Sequence, residues 1–195
     1  VFSDDRTISD SQALQTAPRV KRSATGEVFV NWKDLRDDPI DGDQYFQKIN
    51  TNGDKQWGDG VRLDPVDDVD FSARFSADSN GDLNILWERG TFPDVDIFYQ
   101  NITSDGNYSI EQPLAISDAS GYQFAPILVG KIENGLFAIY GDQGSGSIDL
   151  KVQKVSSNFS AEWENNGLTA MLGLDGDVNY THSFPISEAD LYLVW

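Results

Sequence analysis

The chain has 195 residues, 39% of them hydrophobic and 12% aromatic, which is enough to form one ordinary folded core. A formal net charge of −18 and a pI near 4.1 argue against nucleic acid or an anionic membrane as a partner, because phosphate groups would meet a repelling field. With no cysteine and one histidine, His182, disulfides and the usual zinc sites are excluded, and no apolar run is long enough for membrane insertion.

The first residues match a segment further along the chain. "RTISDSQALQTAP" at 6–18 is similar to "LAISDASGYQFAP" at 114–126, with Ile-Ser-Asp and Ala-Pro at the same offset in both. We therefore predict that residues 1–10 form the outermost strand of a preceding repeat.

Residues 11–66 show what one complete repeat contains. A strand begins near Arg19, a turn follows at Thr25-Gly26, and "EVFVNW" is a second strand. "GDQYFQKINTNGDKQWGDG" then predicts two more strands around the turn Asn52-Gly53, since an X-Gly pair between β-rich runs supplies the positive φ that a hairpin turn needs. Each repeat therefore consists of four short antiparallel strands.

The same pattern recurs over 67–119 and 120–174 and begins again over 175–195. The most apolar strand of each repeat ends on an aromatic residue, and the third strand carries a glutamine every 53 residues. These positions are Trp32, Trp87, Tyr140 and Trp195 for the aromatic residues, and Gln47, Gln100 and Gln153 for the glutamines. A residue present in every repeat is more often a fold contact than a ligand.

Four-stranded repeats of this length are typical of a β-propeller. We predict an all-β β-propeller made of four-stranded antiparallel blades, with about three and a half blades in this chain. The alternative is a β-sandwich with accidental similarity between its strands. If the ring is larger than the chain, the remaining blades come from further residues or from a second copy.

The first repeat resembles the W-x-D-x-R and D-I-Y-x-Q repeats of secreted bacterial β-propeller proteins of Bacteroidetes type, and more distantly sialidase-like or TolB-like propellers. The match consists of Trp32, Asp34, Arg36, Asp43, Gln47, Gly53, Trp57, Gly60 and Val61. The resemblance implies a protein that is exported or held at the cell surface.

Residues that do not repeat are the better candidates for a site. Loops on a rigid scaffold are where binding is usually found, and acidic side chains concentrate in the predicted loops after the second strand of each blade. The candidate ligand-binding residues are Asp34, Arg36, Asp37, Asp38, Glu88, Arg89 and Asp142.

One connection between blades, "DPVDDVDF", is rich in carboxylates. Calcium is a hard cation that takes six to eight oxygen ligands, so Asp67, Asp68 and Asp70 are a candidate calcium site. The alternative is that these acidic groups only keep the protein soluble.

Two functions are compatible with these residues. We predict a non-catalytic binding or scaffold module with a glycan or protein ligand, since no Ser/His/Asp order, P-loop or dinucleotide motif is present. The alternative is a sialidase-like glycoside hydrolase, for which Arg19, Arg74 and His182 at equivalent positions would be an incomplete cationic cluster.

Overall fold

The structure, a computed structural model, describes residues 5–66, 68–132, 135–144, 146–174, 182–185 and 191–194. Its strands are β1 (Gln15–Arg22), β2 (Val28–Asp34), β3 (Asp43–Ile49), β4 (Val61–Arg62), β5 (Asp70–Ala77), β6 (Leu83–Thr91), β7 (Asp94–Ile102), β8 (Leu114–Ser117), β9 (Gln123–Ile132), β10 (Gly135–Asp142), β11 (Ile148–Ser156), β12 (Leu168–Leu174), β13 (His182–Pro185) and β14 (Leu191–Val194). Nowhere in these ranges is there a helix that could cross a membrane.

The strands form three four-stranded sheets and a two-stranded one. The sheets are β1-β2-β3-β4, β5-β6-β7-β8 and β9-β10-β11-β12, and β13 pairs with β14. Neighbours in sequence are neighbours in each sheet and run antiparallel, as in the blades of a propeller. This confirms the prediction of an all-β propeller with about three and a half four-stranded blades.

The turns between β3 and β4 and between β7 and β8 repeat the same hydrogen bonds. Gly53 N donates to Asn50 O at 2.9 Å, and Gly106 N donates to Thr103 O at 2.9 Å. Both glycines have positive φ, 84° and 83°, whereas the preceding Asn52 does not. The turns are therefore longer than the predicted two-residue type, with one residue in the left-handed region.

The third copy of this turn lacks glycine and keeps its geometry. Phe159 takes the position with a φ of 59°, and its N–H donates to Ser156 O at 3.0 Å. The Phe159 ring stacks on Tyr99 with 6.3 Å between ring centroids. The strand pairing is thus strong enough to hold a bulky residue in a conformation that normally favours glycine.

The repeated glutamines are structural, as the sequence predicts. The Gln47 side chain accepts hydrogen bonds from Trp57 N at 2.8 Å and Lys48 N at 3.1 Å, and it donates to Gly58 O at 3.0 Å. Gln153 bonds its own neighbours in the same way, and both side chains are fully buried. Each glutamine satisfies backbone groups where the chain leaves the turn.

The repeated aromatic residues lie in the core. Trp32, Trp87 and Tyr140 are at most 4% exposed, in β2, β6 and β10. Their predicted equivalent, Trp195, lies outside the described residues.

Contacts between Cα atoms divide the chain into two compact units. The first compact unit holds Val1–Asp70, Phe75–Asn84 and Gln100–Glu111, and the second holds Phe71–Arg74, Ile85–Tyr99 and Gln112–Trp195.

The prediction of an outermost strand over residues 1–10 does not agree with the part of this segment that the structure describes. Residues 5–10 contain no strand, and residues 1–4 lie outside the description. The segment instead lies in the first compact unit, where Ile8 packs against the cluster of Val30, Trp32 and Tyr45. Burial of one apolar side chain and single polar contacts hold it there, in place of a ladder of backbone hydrogen bonds.

Candidate functional site

Asp34 and Arg36 of the first compact unit hold the loop after β2 in place. The Asp34 carboxylate is fully buried, and it accepts hydrogen bonds from the Arg36 guanidinium at 2.6 Å and from Trp32 Nε1 at 2.9 Å. Burial acts to raise the pKa of Asp34, but these hydrogen bonds outweigh it and the pKa is lowered. The Asp34 carboxylate of the predicted ligand-binding pair is therefore already bonded from within the protein, whereas Nε of Arg36 is buried without a hydrogen bond to the described residues.

The neighbouring residues Asp37 and Asp38 shape the same loop. Asp37 accepts a hydrogen bond from the Tyr45 hydroxyl, and the Tyr45 ring lies 4.2 Å from the Arg36 guanidinium. Burial and the Asp37 carboxylate both raise the pKa of Tyr45. Asp38 accepts from Ile40 N at 2.8 Å, and bonds of this kind lower its pKa. Both aspartates are thus engaged in loop structure.

A cavity of about 360 Å³ lies beside this loop in the first compact unit. Its polar lining consists of Asp37, Asp38, Asp41, Asp43, Arg62 and Asp68. Asp43 is 3% exposed and forms an ion pair of 2.7 Å with Arg62. Burial raises the pKa of Asp43 despite this partner.

The structure describes two of the three residues of the predicted calcium site, and their surroundings differ. Asp67 lies outside the described residues, Asp68 faces the acidic cavity and Asp70 is buried at the start of β5. Within the described ranges, no group of three or more acidic or histidine side chains is arranged to hold a metal ion. Calcium at this connection stays a prediction.

Glu88 in β6 is a buried acid of the second compact unit whose pKa shifts in the opposite direction from that of Asp34. It is 4% exposed, and its Oε1 accepts a hydrogen bond from Ala125 N at 2.9 Å. Burial raises its pKa; the bonds from Ala125 and the Ser72 hydroxyl and the charge of Arg74 oppose this shift without cancelling it. Glu88 is a buried carboxyl that holds its proton to higher pH than usual.

The backbone that surrounds Glu88 is bulged. Ser72 and Ala125 have positive φ values of 56° and 51°, and Ala17 has the same conformation in β1. The pairing of β9 with β10 shifts register next to Ala125, so its N–H is turned from the ladder towards Glu88. Bulges of this kind re-aim groups at the rims of sheets.

The two other predicted residues of this unit are held by their neighbours. Arg89 is 8% exposed with its guanidinium 4.0 Å from the Phe98 ring, and burial, opposed by Asp96, lowers its pKa to about 10. Asp142 at the end of β10 accepts hydrogen bonds from Gly144 N at 2.9 Å and Gln123 Nε2 at 3.3 Å.

Three partners of the buried acids are not evident from the sequence. They are Ser72 and Ala125, which bond Glu88, and Arg62, which pairs with Asp43. The repeated Ala-Pro at 17–18 and 125–126 is the signal that could have located the bulge, since it recurs at the same place in two repeats.

No known protein family and no curated protein sequence matches the chain. Several solved structures match the chain. The alpha-L-arabinanase of Penicillium chrysogenum, solved with arabinobiose, gives a TM-score of 0.55 at 13% identity, over 88% of this chain and 52% of that one. The alpha-L-arabinofuranosidase of Fusarium graminearum, solved with an iminosugar inhibitor, gives 0.50 at 12% identity, over 85% and 51%. An endo-arabinase from Bacteroides thetaiotaomicron gives 0.46 at 14% identity, over 86% and 62%.

These matches support the propeller fold, and this chain spans only about half the length of the first of them. They also overturn one prediction. We predicted a non-catalytic binding or scaffold module, whereas the matched propellers are glycoside hydrolases. The prediction relied on the absence of a Ser/His/Asp order, a P-loop and a dinucleotide motif, none of which glycoside hydrolysis requires, since that reaction commonly uses two carboxyl groups.

Proposed function

We propose that this chain is the part of a glycoside hydrolase that carries the general acid, and that Glu88 is that acid. Glycoside hydrolysis commonly uses two carboxyl groups, of which one must be protonated so that it can give its proton to the leaving oxygen. A protonated acid requires a raised pKa, which enzymes obtain by burying the carboxyl group.

The observation that carries the proposal is the environment of Glu88. It is 4% exposed, its pKa is raised by burial, and its Oε1 is fixed by Ala125 N at 2.9 Å. The fixed oxygen sets the orientation of the carboxyl group, and the low exposure excludes water. The reaction also needs a second carboxylate, and the proposal assigns only the acid to this chain.

The substrate class in this proposal is a glycan that contains L-arabinose. Support comes from the names of the matched enzymes, an arabinanase and an arabinofuranosidase. Because polymeric glycans do not enter cells, we further propose that the protein acts outside the cell, in keeping with the exported propellers that its repeats resemble.

The test compares Glu88→Gln with Glu162→Gln in the purified protein, with the blades that supply the second carboxylate present. Glu162 is also in the second compact unit, where it pairs with Lys154 at 2.7 Å and is partly exposed. On arabinan and arabino-oligosaccharides, we expect Glu88→Gln to lower the rate about 100- to 10,000-fold, the usual contribution of a general acid. Glu162→Gln should leave it unchanged.

An activated substrate separates proton donation from a merely structural role. A dinitrophenyl arabinofuranoside has a leaving group that needs no proton, so Glu88→Gln should lose much less activity on it than on arabinan. An equal loss on both substrates contradicts the assignment of Glu88. Failure of the unaltered protein to hydrolyse arabinosides, and hydrolysis of sialosides in their place, contradicts the substrate class.

A further inference from the structure

Three aromatic rings of the second compact unit form a continuous series. The Tyr122 and Phe124 rings are stacked, with centroids 5.0 Å apart and an angle of 17° between the ring planes. The Phe92 ring meets the Tyr122 ring edge-on at 5.7 Å. Phe92 is 73% exposed, so the series begins at the surface.

The strands around these rings fix their positions. Phe92 lies between β6 and β7, and Val95 of β7 bridges to Tyr122 and donates its N–H to Gly121 O at 3.0 Å. On the neighbouring strand β10, a Cβ atom at Gly141 would lie 2.6 Å from the Phe124 ring. Glycine at this position therefore leaves the space that the Phe124 ring occupies.

The aromatic series lies next to the proposed acid. Phe124 directly precedes Ala125, whose N–H is 2.9 Å from Glu88 Oε1. The charge of Glu88 also adds to the effect of burial in raising the pKa of Tyr122. The Gln123 side chain donates a hydrogen bond to Asp142 of β10, and the alternation of side chains along a strand places this pair on the face opposite to the Tyr122 and Phe124 rings.

We propose that Phe92, Tyr122 and Phe124 form a platform that holds a sugar ring of the glycan beside Glu88. The inference rests on the proposed function, which supplies the reaction. Sugar-binding surfaces combine aromatic faces with a few polar groups, and Glu88 is the polar group next to these rings. An aromatic ring at 73% exposure gains little from folding, and a stacked ligand would cover it.

The experiment measures binding in the Glu88→Gln background, so that hydrolysis does not interfere. Isothermal titration with arabino-, xylo- and cello-oligosaccharides would be carried out for this protein and for three further changes, Phe92→Ala, Phe92→Tyr and Leu168→Ala. Leu168 is an exposed apolar residue of the same unit at 45% exposure, and it is the matched control.

We expect Phe92→Ala to weaken binding of the preferred oligosaccharide about 10-fold, the effect of a moderate hot spot. Phe92→Tyr should stay within about twofold because it keeps the ring, and Leu168→Ala should have no effect. Because Phe92 is exposed, the Phe92→Ala variant should melt at the same temperature as its parent. A loss of binding in this variant would therefore not come from unfolding.

The two proposals fail in different ways. If Glu88→Gln abolishes hydrolysis but Phe92→Ala binds as well as its parent, the platform is wrong and the acid assignment stands. If oligosaccharides bind with dependence on the Phe92 ring but the unaltered protein hydrolyses none of them, the platform stands and the proposed function is wrong. Equal losses for Phe92→Ala and Leu168→Ala also contradict the platform.

Discussion

Asp34 in the first compact unit and Glu88 in the second are both buried carboxyl groups near the ends of corresponding strands, and their pKa values shift in opposite directions. Asp34 receives hydrogen bonds from Arg36 and Trp32, which lower its pKa. Glu88 receives one from Ala125 and another from Ser72, and burial still raises its pKa. Burial alone thus does not determine the direction of a pKa shift, since hydrogen-bond donors and nearby charges act against it.

The two kinds of buried carboxyl group also differ in what they can do for the protein. A buried carboxylate whose charge is fully compensated supports the loop that follows it, and it has no proton to give. A buried carboxyl group that keeps its proton costs the protein little at low pH and is available for transfer. The same blade architecture therefore offers two uses for one kind of side chain.

Removal of the Arg36 guanidinium should have the largest effect on stability. Arg36→Ala leaves the Asp34 charge buried without its ion pair, and we expect a loss of about 3–5 kcal/mol of unfolding free energy. Urea denaturation at neutral pH measures it. The control is Arg6→Ala, which removes an exposed pair with Asp54 and should cost under about 1 kcal/mol. Equal effects of the two changes would show that Asp34 does not depend on Arg36.

A smaller effect should appear equally in both units. Gln47→Ala in the first compact unit and Gln153→Ala in the second each remove hydrogen bonds to buried backbone groups. We expect a loss of about 1–3 kcal/mol from each, measured by the same denaturation. Gln56→Ala, an exposed change shortly after the turn that follows β3, is the control. Markedly unequal losses would mean that the units differ in their blades as well as in their acids.

Much of the fold could be predicted because it repeats. The spacing of Trp32, Trp87 and Tyr140 predicts three buried central strands, and Gln47 and Gln153 predict a recurring backbone contact. Such contacts follow from local sequence, which one repeat shares with the next. The turn at Phe159 also keeps the repeated geometry, although phenylalanine stands where the other two copies have glycine.

The candidate site could be predicted only in part. The sequence predicts Glu88 as a loop acid, but its hydrogen bonds come from Ser72 and from Ala125, the latter 37 positions away along the chain. Likewise, Asp34 is fixed by an arginine two positions later, a pattern that the sequence shows without revealing that both side chains turn inward. The positive φ values at Ser72 and Ala125 are imposed by strand pairing, so they cannot be predicted from the residue type alone.

The most direct test of the account is an NMR titration of the side-chain carboxyl carbons, assigned through bonds in the unaltered protein. We expect the Glu88 carboxyl to titrate above the ordinary pH range of a glutamate, and the Asp34 carboxyl to titrate below that of an aspartate. The Glu88 carboxyl should therefore still be protonated at pH values where Asp34 is fully ionised. A Glu88 carboxyl that titrates at or below the ordinary value would contradict its role as the proton donor.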